Sequence, residues 1–167
     1  MLQVSTISSQ LSKTAQYEEL VAQARSLIAD ETNLIANAAN FSSLVFNALE
    51  GLNWAGFYFY DGTELVVGPF QGKPACVRIA LGKGVCGTAA QTRTTQVVRD
   101  VHEFAGHIAC DSASQSEIVV PLIAGDGTLI GVWDVDSPMV ARFDDEDAQG
   151  MEALCKVFVE RASFKPA

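Results

Sequence analysis

Hydrophobic positions in the first third of the chain fall at helical spacing. Tyr17, Leu20, Val21, Ala24, Leu27 and Ile28 recur with a period near 3.6. Asp30-Glu31-Thr32 interrupts the pattern. Leu34, Ile35, Ala38, Phe41, Leu44, Val45 and Ala48 then mark one face of a second helix, and Gly51 supplies its stop. Residues 1–12 precede both helices as a polar arm.

From residue 53 the period changes to two. NWAGFYFY (53–60) predicts a strand, Asp61-Gly62 a hairpin turn, and ELVVGPF (64–70) the returning strand. After a loop at 71–75, CVRIAL (76–81) predicts a short strand. GKGVCGTAAQT (82–92) reads as a glycine-rich turn opening a short helix, and TTQVVRD (94–100) as a brief strand. VHEFAGHIACDSASQS (101–116) has little periodicity and reads as loop. EIVVPLIA (117–124) and TLIGVWDVDS (128–137) form a second hairpin around GDG. A last helix carries Ala148, Met151, Leu154, Cys155, Phe158 and Val159 on its apolar side, with DDEDAQ (144–149) at its start, where acidic groups complement the dipole. Strands joined by hairpins predict an α+β fold: one antiparallel sheet of about six strands covered by the N- and C-terminal helices.

The chain has 167 residues, 49% of them apolar, which predicts a single domain over 1–167 with a real core. Its net charge is −9, so it repels phosphate backbones and nucleic-acid binding is disfavoured. No apolar run approaches the ~18 residues of a membrane span, and MLQVSTISSQLSK lacks the make-up of a signal peptide. A cytoplasmic protein is expected. Four cysteines in a chain of this length do not make a disulfide scaffold.

Strand alternation sorts the candidate chemistry by face. Ala55, Phe57 and Phe59 share the core face of the first strand. Trp54, Gly56, Tyr58 and Tyr60 share the other face, either as a pocket wall or as a second core layer. Asp134 and Asp136 point to one side together with Ile130 and Val132. Two carboxylates roughly 7 Å apart on one strand need a cation, a shared proton or open water. Glu117 begins the neighbouring strand and converges on the same end; solvated turn carboxylates are the plainer alternative.

Three cysteines, Cys76, Cys86 and Cys110, lie within residues 73–117. Their spacing lacks the close pairs of structural zinc sites, so no metal is expected. Inert burial suits Cys155 on the last helix but not Cys110, which precedes DSASQS. Thiol redox chemistry is the third option. Gly82, Gly84 and Gly87 match a G-x-G-x-x-G spacing without the βαβ unit that gives it meaning. His102 and His107 read as loop or surface histidines.

With these residues in view, the chain resembles the GAF-domain free methionine-(R)-sulfoxide reductases from about Tyr17 to Phe158. NWAGFY, ELVVGPFQGKPAC, GKGVCGTAA, VHEFAGHIACD, SEIVVPL and GVWDVDSP carry the resemblance, and the family's three cysteines match at Cys76, Cys86 and Cys110. Trp133 departs, standing where the family has an aliphatic residue. It alternates away from Asp134 and Asp136, so it is expected to affect packing more than chemistry.

The resemblance implies a GAF-like fold, with helices on one face of the sheet and ligand loops on the other. It implies Cys110 as nucleophile, Cys76 as resolving thiol and Cys86 as a secondary thiol. It also implies that Trp54, Glu117, Asp134 and Asp136 line the substrate pocket; strand alternation adds Tyr58 and Tyr60. Implied partners are free methionine sulfoxide, thioredoxin as reductant and a second copy in a homodimer, with no cofactor. A non-enzymatic GAF small-ligand sensor and a thiol redox sensor are the competing readings. The absence of an output domain and the three matched cysteines weigh against them.

Overall fold

The computed structural model describes residues 7–108 and 111–161. Cys110 and residues 1–6 of the polar arm lie outside them. Ile7, within that arm, is buried in the main core.

Helices α1 (Lys13–Leu27) and α2 (Leu34–Ala48) come first. Ser12 caps α1 by accepting from the Ala15 N–H, and Asn33 caps α2 by accepting from Ala36. Strands β1 (Trp54–Tyr60), β2 (Glu64–Gly72) and β3 (Arg78–Ala80) follow, then α3 (Gly84–Thr92) and β4 (Gln96–Val98). The segment read as loop holds one short 3-10 turn, Val101–Glu103. Strands β5 (Ser116–Ile123) and β6 (Leu129–Ser137) lead into α4 (Asp145–Arg161).

The described strands form one antiparallel sheet in the order β3-β2-β1-β6-β5-β4. Each of its faces carries a core. Behind it, α1, α2 and α4 pack on Ala55, Phe57, Ile118, Val120, Leu122, Trp133 and Val135. In front, Trp54, Tyr58, Val119 and Val132 pack under α3 and Val101. Among the described residues no helix is long and apolar enough to cross a membrane.

Trp133 belongs wholly to the rear core. It is fully buried, edge-on to Phe41 at 5.0 Å, and its Nε1 donates to the Met151 sulfur at 3.4 Å. The indole thus buries its polar N–H with a partner, away from the front face.

Two positions differ from the periodic expectation. Ile130 lies in the rear core, not beside Asp134. The register slips between Leu122 and Ile123, which pair with Gly131 and Leu129, so Ile130 is an extra residue that flips to the other face. Ile35, assigned to the apolar stripe of α2, is 58% exposed, so that stripe narrows at the first turn.

The acidic start of α4 ties it to α1. Asp144 accepts from the Glu146 and Asp147 N–H groups. Asp147, fully buried, accepts from Tyr17 Oη at 2.8 Å, Lys13 Nζ at 2.7 Å and Arg142 Nη1 at 3.2 Å. With the Asp144 N–H, which also donates to it at 3.0 Å, four donors compensate one buried charge.

Candidate active site

The antiparallel register of β1, β6 and β5 assembles the acidic cluster. Asp136 sits opposite Trp54 on one side and Glu117 on the other; Asp134 sits opposite Gly56 and Val119. Alternation therefore sends all three carboxyls to the front face. Glu117 and Asp134 are buried, and Asp136 is half-buried.

Gly56 shapes the aromatic wall. A methyl group there would collide with Phe70 Cβ and come within 2.7 Å of the Trp54 ring. Without it, Trp54 lies over the strand, stacked on Phe70 at 5.1 Å and on Tyr58 at 5.8 Å. Trp54 Nε1 donates to Lys73 O at 3.1 Å, which ties the wall to the loop leading to Cys76.

Tyr58, Cys86, Glu117, Asp134 and Asp136 line one cavity of about 30 Å³, joined by Lys83, Ile108, His107, Asp111 and Ser114. Trp54 is set one ring back, behind Tyr58. Tyr60, expected in the pocket, lies at the hairpin end of β1, where its hydroxyl donates to Gly62 O at 2.8 Å. Alternation assigns its face correctly but says nothing of how far along the strand the pocket extends.

Cys86 enters from the first turn of α3. Its sulfur lies 3.9 Å from Glu117 Oε1. Cys86, Glu117 and Asp134 offer donor atoms all within 4.8 Å of one another. Burial pushes the Cys86 thiol well up, and the charges of Asp134 and Glu117 add to this. Burial also holds the three carboxyls well above the usual carboxylate range. Repulsion then adds to it, from Asp136 on Glu117, from Glu117 on Asp134 and from Asp134 on Asp136. Tyr58 is raised by burial and by Asp134. The site thus holds protons that exposed groups of the same types would give up.

The loop after the 3-10 turn adds His107, which sequence alone placed at the surface. Its Nε2 lies 3.5 Å from Glu117 Oε2, and burial lowers its pKa, favouring the neutral ring. Gly84 makes room for this loop: its backbone is left-handed, φ 59°, and Ile108 packs directly over it. Asp111 anchors the far end. It accepts from Asn53 Nδ2 and Ala113 N, and Lys73 Nζ lies 3.4 Å away. The chain next to Cys110 is thereby linked to the loop that carries Cys76. A loop without periodicity offers no signal from which these contacts are foreseen.

Cys76 packs against the front core and is disulfide-bonded. Cys86 and Cys155 are free and buried. Cys110 lies outside the described residues.

A six-stranded sheet with helices behind and a polar cavity in front defines a GAF domain, and the GAF domain family matches residues 17–159. The chain is 51% identical to the free methionine-R-sulfoxide reductase of Escherichia coli (strain K12), over 86% of this chain and 87% of the relative. The X-ray structure of free methionine-R-sulfoxide reductase from Neisseria meningitidis in complex with its substrate is 45% identical. It superposes with a TM-score of 0.90 over 96% of this chain and 95% of that one. A GAF protein crystal structure from Burkholderia vietnamiensis is 78% identical, with a TM-score of 0.89 over 91% of this chain and 96% of that one. The chain belongs to the free methionine-R-sulfoxide reductase family of GAF-domain proteins.

Proposed function

We propose that the protein reduces free L-methionine (R)-sulfoxide to L-methionine in this pocket by a cysteine relay. The observation that carries this is the convergence of Glu117, Asp134 and Asp136 in one buried cavity beside the Trp54–Tyr58 stack. A sulfoxide becomes electrophilic when its oxygen is protonated. Carboxyls whose pKa values are raised by burial and mutual repulsion keep such a proton to higher pH than exposed carboxyls do. A free amino acid also brings an ammonium, which one carboxylate of the set binds. The three titrate as a coupled group, so acid and counter-ion are shared roles.

The Cys110 thiolate then attacks the sulfoxide sulfur. The oxygen then migrates to the Cys110 sulfur as its bond to the methionine sulfur and the new S–S bond break, so methionine leaves as the thioether and Cys110 becomes a sulfenic acid. The Cys76 thiol attacks the sulfenic sulfur, water leaves, and a disulfide forms. An external dithiol, supplied by thioredoxin in the reducing cytoplasm, reopens it by exchange. The disulfide-bonded state of Cys76 supports this order. Cys86 is the secondary thiol. The protein works as a homodimer.

The test is turnover of each free methionine sulfoxide epimer by the reduced protein with excess dithiol. Methionine should form from the R epimer alone, and a peptide-bound sulfoxide, which lacks the ammonium, should stay unreduced. No methionine from either epimer would demote the chain to a ligand-binding or redox-sensing GAF domain.

A further inference from the structure

We propose that the floor of this pocket is a binding site for one thiophilic divalent cation of the zinc type, held by Cys86, Glu117 and Asp134. The three present a sulfur and two carboxylate oxygens within 4.8 Å of one another, and all three are buried.

A second observation points the same way. Asp134 is more than nine-tenths buried and lines the cavity, yet its Oδ1 has no hydrogen-bond partner among the described residues. Buried carboxylate oxygens are normally satisfied, and a lone exception facing a cavity calls for an occupant. The cavity, at about 30 Å³, exceeds the ~10–15 Å³ that one water needs, so it has room for an ion.

The donor chemistry selects the ion. One thiolate and two carboxylates form a mixed set of three, which with one solvent ligand suits tetrahedral zinc or cobalt. Calcium and magnesium prefer oxygen alone and more ligands. On binding, Cys86 and whichever carboxyls are protonated release their protons, and three anions then face two positive charges. The spacing of the cysteines hides this site, because its donors come from α3, β5 and β6, one from each.

The cation would occupy the space assigned above to the substrate's ammonium, so the two should exclude each other. That consequence rests on the proposed function; the site itself does not.

The test is anaerobic titration of the oxidised full-length protein with Co²⁺. In this form Cys76 is already disulfide-bonded while Cys86 remains free. One Co²⁺ per chain should bind, with a sulfur-to-cobalt charge-transfer band and the strong visible bands of four-coordinate cobalt. Cys86→Ser should lose the charge-transfer band, while Cys155→Ser should keep it. Asp134→Asn, checked for folding by thermal unfolding, should weaken binding by at least the roughly tenfold that loss of an outer-shell partner costs, so the test stands even if Cys86→Ser does not fold. A charge-transfer band that survives Cys86→Ser, an affinity that Asp134→Asn leaves unchanged, or no binding below millimolar Co²⁺ would overturn the site. The oxidised protein cannot turn over, so free methionine sulfoxide can be added to the cobalt form. Displacement supports a shared pocket. A cobalt spectrum that the sulfoxide leaves unchanged upholds the cation site and instead removes the ammonium from it.

Discussion

Cys86 Sγ faces Glu117 Oε1 at 3.9 Å, a buried thiol against a buried carboxyl. Burial, then the charges of Asp134 and Glu117, raise the cost of ionising Cys86, whereas hydrogen bonds from Cys86 and Asp134 ease the ionisation of Glu117. Cys86 therefore rests as a thiol although it lies in the first turn of α3, where the helix dipole favours a thiolate. Alkylation of Cys86 by iodoacetamide at pH 8 should be much slower than that of a small free thiol. It should speed up in Asp134→Asn, which removes a charge without removing volume. A rate unchanged by Asp134→Asn would mean that burial alone controls this thiol.

The carboxyl cluster sets a stability profile. Glu117, Asp134 and Asp136 have folded pKa values above their unfolded ones. The folded state keeps its protons longer, so stability is full below the ordinary carboxylate range and falls as pH rises toward the folded values. Asp134→Asn should flatten this decline and be the more stable protein at pH 8, by about 1–3 kcal/mol, or ~2–4 °C in Tm per kcal/mol. Thermal unfolding from pH 4 to pH 9 measures it. Parallel curves for the two proteins would rule out a raised Asp134.

Gly56 is a test of the aromatic wall. Gly56→Ala places a methyl group against Phe70 and the Trp54 ring. It should cost about 1–3 kcal/mol of stability and raise KM for the sulfoxide more than it lowers kcat. An unchanged KM would detach the Trp54–Tyr58 stack from substrate binding.

Asp147 tests the rear of the molecule independently. Asp147→Ala strands Tyr17 Oη and takes the carboxylate partner from Arg142, while Lys13 keeps its pair with Asp144. Loss of a buried, paired charge costs about 3–5 kcal/mol, whereas an exposed pair is worth under about 1 kcal/mol. Urea unfolding decides between them. The kcat of the folded fraction should be unchanged, because the sheet separates Asp147 from the cavity.

Much of this site is legible in strand alternation. Trp54, Tyr58, Asp134 and Asp136 share a face because their strands alternate, and pairing of β1 with β6 makes the two sets neighbours. Ile130 escapes because a register slip is a property of two strands together, not of either sequence. Tyr60 is on the expected face but beyond the pocket's end. His107 and Asp111 are invisible to periodicity, since loop contacts depend on where the chain returns. Cys86 is visible as a thiol, but its acidic surroundings arise only when α3 packs on β5 and β6.

The most direct test is a single turnover without reductant. Fully reduced protein is mixed with excess free methionine (R)-sulfoxide, and methionine and thiols are counted after quenching. One methionine per chain should form with the loss of two thiols, and peptide mapping should find Cys76 joined to Cys110 with Cys86 still free. Absence of methionine, or a disulfide that takes in Cys86 in place of Cys76, would contradict the relay.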